Sequence, residues 1–413
     1  MNRDDSVAAP HASGDASGGA RMVPVAPVTP VAALPEADSV RQPAGDQRDP
    51  SQTPRDAWRL RARGLLLRWE TLLVVLLIVG GYIGALLSPG FLTVFNFTHM
   101  PTEFMYIGVM ALPMTLIIIS GNIDLSVDST IGFTGVILAS VWATGLNIWA
   151  SSLVALLAGA AAGFLNGIII TKLKLPSLVV TLGTLALYRG LAFVILGDRS
   201  IPDQGSLPDS FLRLDNFFLG FVGPIDLGFI HIPGKTIAIS LLIFLVLAVA
   251  FGLLLHRTSI GRYVYAIGNN EKACRYCGIP VDTVIVALFT LSGMMAALGG
   301  MLLMSFQGDA RADMGSGFLL DVITAVVLGG VNIFGGEGTI IGPVLALFLI
   351  GELRRGMRLV SPPVDPSIQT LIVGALLIAS LLVPNLVRRG REMWLPVMRR
   401  RTTSVAAKRR EVV

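Results

Sequence analysis

The chain has 413 residues, 53% apolar and only 14% charged, with a mean hydropathy of +0.71. Soluble globular chains carry charge on about a quarter of their residues, so this balance excludes an ordinary soluble domain and points to repeated membrane crossings. The net charge of +5 would suit nucleic acid, but the basic residues flank apolar runs, as the positive-inside rule expects, and no nucleic-acid partner is predicted.

Residues 1–54 are rich in Ala, Pro, Gly, Ser and Asp without apolar periodicity, which predicts a disordered cytoplasmic tail. The first apolar run comes too late for a cleavable leader. Trp58, Arg59, Arg61, Arg63 and Arg68 precede that run and should hold the N-terminus in the cytoplasm, with Trp58 and Trp69 near the interface.

Span one is Thr71 to about Ser88, and span two is Phe104 to Ser120 with Pro113 inside it. Residues 129–171 carry no charge and are too long for one helix, so they divide near Gly145-Leu146-Asn147. Span five is Ser177 to Gly197, and span six is Thr236 to Leu255. After a polar island come Thr283 to about Phe306, Asp321 to Phe334, Thr339 to Leu353 and Ser367 to Val387. The eighth and ninth are short for full crossings, which predicts tilted, broken or re-entrant segments. The fold class is therefore an all-α polytopic membrane protein of about ten transmembrane helices, some short or broken, over residues 55–387.

Charge tests this topology. Ten crossings from a cytoplasmic N-terminus place Lys172, Lys174, the island and the basic tail 388–413 in the cytoplasm, and make 198–235 an external loop. Arg354, Arg355 and Arg358 disagree, because they fall outside. Either the ninth segment is re-entrant or these arginines serve a local partner.

Ionisable residues inside apolar runs are functional candidates by default. Asp124, Arg189 and Asp321, with the polar Ser126 beside Asp124, are therefore candidates for translocation or gating. For Asp124 and Ser126 a structural role is preferred, capping the next helix where the backbone breaks. Arg189 suits either contact with a transported solute or a structural partnership with an intramembrane acid. Gly159, Gly163 and Gly167 recur at four-residue spacing, which lines one helix face for close packing. Cys274 and Cys277 form a lone C-x-x-C without a second pair or spaced histidines, so they are read as small packing residues and no metal site is expected. No catalytic group is predicted. No G-x-x-x-x-G-K-[ST] occurs, so no ATP is bound through a P-loop.

The polar island runs from His256 to about Pro280. Gly268-Asn269-Asn270 is turn chemistry with an N-cap candidate, Glu271 and Arg275 are spaced i,i+4, and Pro280 closes the segment. The pattern predicts a loop, a short surface helix and a stop. The stretch from Gly261 to Ala273 resembles the cytoplasmic signature of the ribose/xylose/rhamnose-type sugar permeases of ABC importers. Gly121-Asn122-Ile123-Asp124-Leu125-Ser126-Val127-Asp128 resembles the same family's intramembrane motif, with Asn122 and Asp128 where glycine is usual. Residues 176–190 and the Gly-rich 321–342 are further matches, although Leu319 replaces an expected glutamate.

The resemblance implies that residues 256–281 are a coupling loop contacting an ATPase through Gly261, Arg262, Asn269, Glu271, Ala273, Arg275 and Gly278. It implies a second permease subunit, identical or paralogous, two cytoplasmic ATP-binding subunits and a periplasmic sugar-binding protein in the bacterial inner membrane. ATP would be used by the partner, with no cofactor on this chain and no enzymatic activity of its own. The glycine-rich form of 329–336 leans toward the rhamnose and autoinducer-2 branch. The alternative is an ion-coupled secondary transporter or channel, for which no convincing internal repeat is visible.

Overall fold

A computed structural model describes residues 69–382 apart from 94–95, 97–98, 204–205, 217, 220–224, 227–230 and 233–236. The expectations for both tails and for the basic cluster at 58–68 lie outside the described residues. The helices are α1 (Trp69–Leu87), α2 (Met105–Ile119), α3 (Val127–Ala143), α4 (Ile148–Lys172), α5 (Ser177–Leu196) and α6 (Asp209–Asn216). They continue as α7 (Ile239–Arg257), α8 (Ser259–Tyr276), α9 (Val281–Gln307), α10 (Phe318–Leu328), α11 (Ile341–Leu359) and α12 (Pro366–Leu382). Setting aside α6 and α8, the rest correspond one to one with the expected spans. The protein is an all-α polytopic membrane protein.

Five of these helices (α1, α4, α5, α7 and α9) are long and apolar enough to cross a membrane, and α2, α3, α10 and α12 are shorter apolar helices. The expected division of 129–171 falls at Gly145 and Asn147, whose side chain accepts the Trp149 amide at 2.9 Å to cap α4. All residues of α2 are buried, as befits a helix apolar on every face. It is enclosed by α7, α8, α9, α10 and α11. By contrast α1, α5 and α7 present exposed leucine, valine and isoleucine, which suits lipid.

The α4 glycines do what their spacing predicts. A methyl group at Gly163 would lie 2.1 Å from the Phe289 carbonyl oxygen, and one at Gly159 would lie 2.4 Å from that of Gly293. Gly167 meets Val286 in the same way. Small residues here let α4 and α9 pack backbone against backbone.

Helix lengths set the relief of the molecule. At 1.5 Å per residue, α9 spans about 40 Å, α2 about 22 Å and α10 about 16 Å. The C-terminal ends of α2 and α10 lie at the end of the bundle where α8 sits, so both begin well short of the opposite end of α9. The loop after α9 folds back there, with Ala310–Arg311 pairing antiparallel to Ser200–Ile201. The stretch expected as an external loop thus carries, among its described residues, α6 and four two-residue strands, among them Phe218–Leu219, which pairs with Ile237–Ala238.

Two expectations are corrected. The first part of the island is helix rather than loop: Thr258 caps α8 by accepting the Gly261 amide, and helix continues to an extended residue at Asn270. Gly261 and Gly268 are weak helix formers, and their tertiary contacts outweigh that preference. Asn270 then accepts the Ala273 amide at 3.0 Å and restarts the helix. The ninth segment does not end near Leu353, because α11 continues to Leu359 and carries its arginines to local acidic partners.

Candidate functional site

The first candidate surface is α8 and what lies beneath it. Val264, Ile267 and Cys274 face inward, while Arg262, Asn269, Glu271, Ala273, Arg275, Tyr276 and Gly278 are exposed. Gly261 forms the α7–α8 corner, where a methyl group would lie 1.9 Å from the Leu255 carbonyl oxygen. Arg262 reaches back to the Thr258 carbonyl at 3.3 Å. Arg275 pairs with Glu271 at 2.8 Å and with Asp282 of α9 at 2.6 Å. Asp282 first and Glu271 second raise the guanidinium pKa. Gly278 takes a positive φ at the helix stop, where the Ile279 amide returns to the Cys274 carbonyl at 3.0 Å.

Beneath α8 three backbone segments converge. The C-terminus of α2 closes in a left-handed turn at Gly121, with the Asn122 amide on the Ile117 carbonyl. The Gly336 amide donates to the Ile119 carbonyl at 2.8 Å. A methyl group at Gly268 of α8 would lie 1.8 Å from that carbonyl oxygen and 2.5 Å from the Gly336 amide nitrogen. Tyr265 donates its hydroxyl to the Gly338 carbonyl at 2.6 Å, and burial pushes its phenol pKa up. Asn269 donates to the Tyr265 carbonyl at 2.8 Å and approaches the Gly336 carbonyl at 3.5 Å. Beside this junction a groove of about 650 Å³ is walled by Glu271 and Arg275 on one side and by Asn122, Lys174 and Pro176 on the other.

The α2–α3 break leads from this junction to Asp124. Its carboxylate accepts the Ser126 amide at 3.0 Å, the Ser126 hydroxyl at 2.6 Å and the Ser292 hydroxyl of α9 at 2.8 Å. Asn166 of α4 donates to the Ser126 hydroxyl at 2.9 Å, and Tyr188 of α5 lies 3.3 Å from Asn166. Ser126 itself caps no helix amide; its hydroxyl ties Asp124 to Asn166 instead. The four helices α3, α4, α5 and α9 are thereby joined through one sealed polar cluster.

Arg189 is likewise occupied by backbone. It donates to the carbonyls of Ala312 and Met314 at 2.8 and 2.7 Å, and to that of Asp128 at 3.1 Å. These contacts pin the α9–α10 loop onto α3. Arg189 thus forms no hydrogen bond to Asp124.

Asp321 stands apart from the other intramembrane candidates. It is buried on α10, and Arg354 of α11 bonds both of its oxygens, at 2.7 and 2.9 Å. Next to it Arg355 holds Glu103 at 2.6 Å, and Arg358 holds the other Glu103 oxygen. Asp321, Arg354, Glu103 and Arg358 border a cavity of about 370 Å³ at the end opposite α8, and Arg355 lies outside its lining. The sequence marked the arginines as misplaced and Asp321 as a candidate, but not Glu103 as their partner. Among the described residues no group of three or more His, Cys, Asp or Glu is placed to hold a metal.

Comparison with known proteins gives the chain's family. The family described as branched-chain amino acid transport system / permease component matches residues 96–381. The chain is similar to the autoinducer 2 import system permease protein LsrD of Escherichia coli strain K12, with 35% identity over 310 residues, 75% of this chain and 90% of that protein. The proteins of the same name from Shigella flexneri and Escherichia coli O157:H7 match with the same identity and coverage. No solved structure matches the chain.

Proposed function

The chain belongs to the ABC-importer permease family whose pattern covers residues 96–381, and on that premise we propose that it carries a monosaccharide or related small carbohydrate inward across the bacterial inner membrane. Its partners in this reading are a second permease subunit, two cytoplasmic ATP-binding subunits and a periplasmic sugar-binding protein. ATP is bound and hydrolysed by the partner, and both termini lie in the cytoplasm. The relatives are named for autoinducer 2 import, which supports a small solute of that kind.

The observation that carries the proposal is the seat of α8. A polar helix with an exposed Tyr276 and an exposed row of charges rests by backbone contact on the end of α2 and on the 335–338 turn. An ATPase gripping the exposed face moves those two segments with it. Exchange between outward and inward states then follows if ATP and the loaded binding protein each prefer one state. The ion-coupled alternative loses support from Asp124 and Arg189. Each is tied down by three protein hydrogen bonds, and neither bonds to the other.

The test is uptake by the reconstituted importer. Radiolabelled D-ribose, D-xylose and L-rhamnose are offered with and without ATP, and ATP-dependent uptake of one of them is the expected result. Uptake driven by a proton or sodium gradient without ATP would overturn the proposal.

A further inference from the structure

Independently of what the protein carries, we infer that the groove between α1 and α11 binds a membrane-borne amphiphile with an apolar chain and a primary amine head, and that Glu352 holds the amine. Ile83, Leu87, Phe91, Leu349 and Met357 line this groove of about 410 Å³, and Glu352 is its single ionisable residue. Both helices start at the α8 end of the bundle: Trp69 of α1 donates to the Leu328 carbonyl at 2.7 Å, and Gly342 of α11 packs on Gly329. Gly80 and Glu352 each stand 11 residues past the first (69 to 80 and 341 to 352), about 17 Å along. From there the groove runs toward the opposite end, where Leu87, Phe91 and Val360 border it.

Two glycines put the carboxyl in this place. A methyl group at Gly80 would lie 3.2 Å from Oε2 of Glu352, and one at Gly81 would lie 2.9 Å from Oε1. The carboxyl therefore rests on the bare backbone of α1. Glu352 keeps only 9% of its exposure, and its Oε2 is buried without a hydrogen-bond partner among the described residues. The cations of the same helix are committed elsewhere, Arg354 to Asp321 and both Arg355 and Arg358 to Glu103. A carboxyl left without a donor in apolar surroundings is costly, and inside a membrane it marks a functional site.

The ligand follows from the two chemistries of the groove. An ammonium brings three donors and the opposite charge to the one acceptor that lacks a partner. A neutral amine meeting the carboxylic acid, and an ammonium meeting the carboxylate, give the same ion pair; in the first case the proton passes from the carboxyl oxygen to nitrogen. The terminal torsion of a glutamate is soft and two-fold, so an oxygen can turn to the groove. The alkyl chain then lies along the apolar wall. A partner helix is too thick for this place. From Gly80 to Leu87 the groove is about 10 Å long, and a helical cylinder about 10 Å across fills roughly 800 Å³ over that length. The groove holds about half of that and lies in the range of small-molecule sites, about 300–1,000 Å³.

The experiment uses the full-length chain in mild detergent and octylamine as the probe, with octanoate and octanol as controls of equal chain length. Thermal unfolding is followed by fluorescence for the unaltered protein, for Glu352→Leu, and for Gly356→Leu, which fills the groove and leaves the carboxyl in place. Octylamine should raise the midpoint of the unaltered protein by about 2 °C or more, whereas octanoate and octanol should not. Neither variant should respond. Without any ligand Glu352→Leu should unfold at the same or a higher temperature, because the substitution leaves no donor unpaired.

No shift with octylamine in the unaltered protein, or the same shift in Glu352→Leu, would overturn the inference. An equal shift from octanol would overturn the amine, and a lower midpoint for unliganded Glu352→Leu would make the carboxyl a structural group instead. Disulfide cross-linking of Ile83→Cys between two copies, in a chain that also carries Cys277→Ser, would show a second copy covering the groove and would equally overturn it.

Discussion

Gly268 of α8 lies against the carbonyl oxygen of Ile119 so closely that a methyl group would sit 1.8 Å from it. No side chain intervenes between the exposed helix and the end of the central helix. A movement of α8 is therefore felt at Gly121 and at the 335–338 turn without slack.

That contact predicts the effect of adding a single methyl group. Gly268→Ala must push α8 off α2, an overpacking that costs about 1–3 kcal/mol. Uptake should fall about 10-fold or more, and ATP hydrolysis should lose its response to the loaded binding protein. The paired assays of uptake and stimulated hydrolysis check this, and unchanged values for both contradict it.

On the outer face of α8, Glu271→Arg separates docking from folding. The Glu271–Arg275 pair is exposed, and pairs of that kind contribute about 0–1 kcal/mol. The protein should stay abundant in the membrane while uptake is lost. Gly261→Trp should also abolish uptake, but through the α7–α8 corner itself, where the Leu255 carbonyl leaves no room.

Asp124 should tolerate asparagine and not alanine. In Asp124→Asn the amide oxygen keeps the Ser126 donors, and the Ser292 hydroxyl turns to accept from the new amide group. Alanine leaves those buried donors without an acceptor, at about 1–3 kcal/mol each. Thermal unfolding in detergent, followed by fluorescence, should show a clear loss for alanine and little change for asparagine.

For Arg189 the expected order is different, because geometry rather than charge is at stake. A lysine keeps the charge but not the planar fork that reaches three carbonyls. Arg189→Lys should loosen the 308–317 loop, seen as faster hydrogen exchange there, with α2 and α9 unaffected.

The ten helices were legible because long apolar runs recur along the sequence between polar breaks, and the α4 glycine face was legible because its period matches the helix. What lay beneath α8 was not. Gly268 read as turn chemistry, since a sequence does not reveal which distant carbonyl a glycine will meet. The Arg354–Arg358 cluster broke the charge rule, and that conflict was the useful signal. Its answer, Glu103, lies some 250 positions away and carries no local mark of its role. Asp124 and Arg189 looked alike as intramembrane charges, and only their partners distinguish them from Asp321, which faces a cavity.

The most direct test of the account is purification of the tagged chain in mild detergent, with mass identification of what accompanies it and an ATPase assay. The account predicts a P-loop ATPase that is recovered with the intact chain and lost when residues 257–280 are scrambled. A chain that purifies alone, without ATPase activity, and drives ion-coupled uptake in liposomes would contradict it.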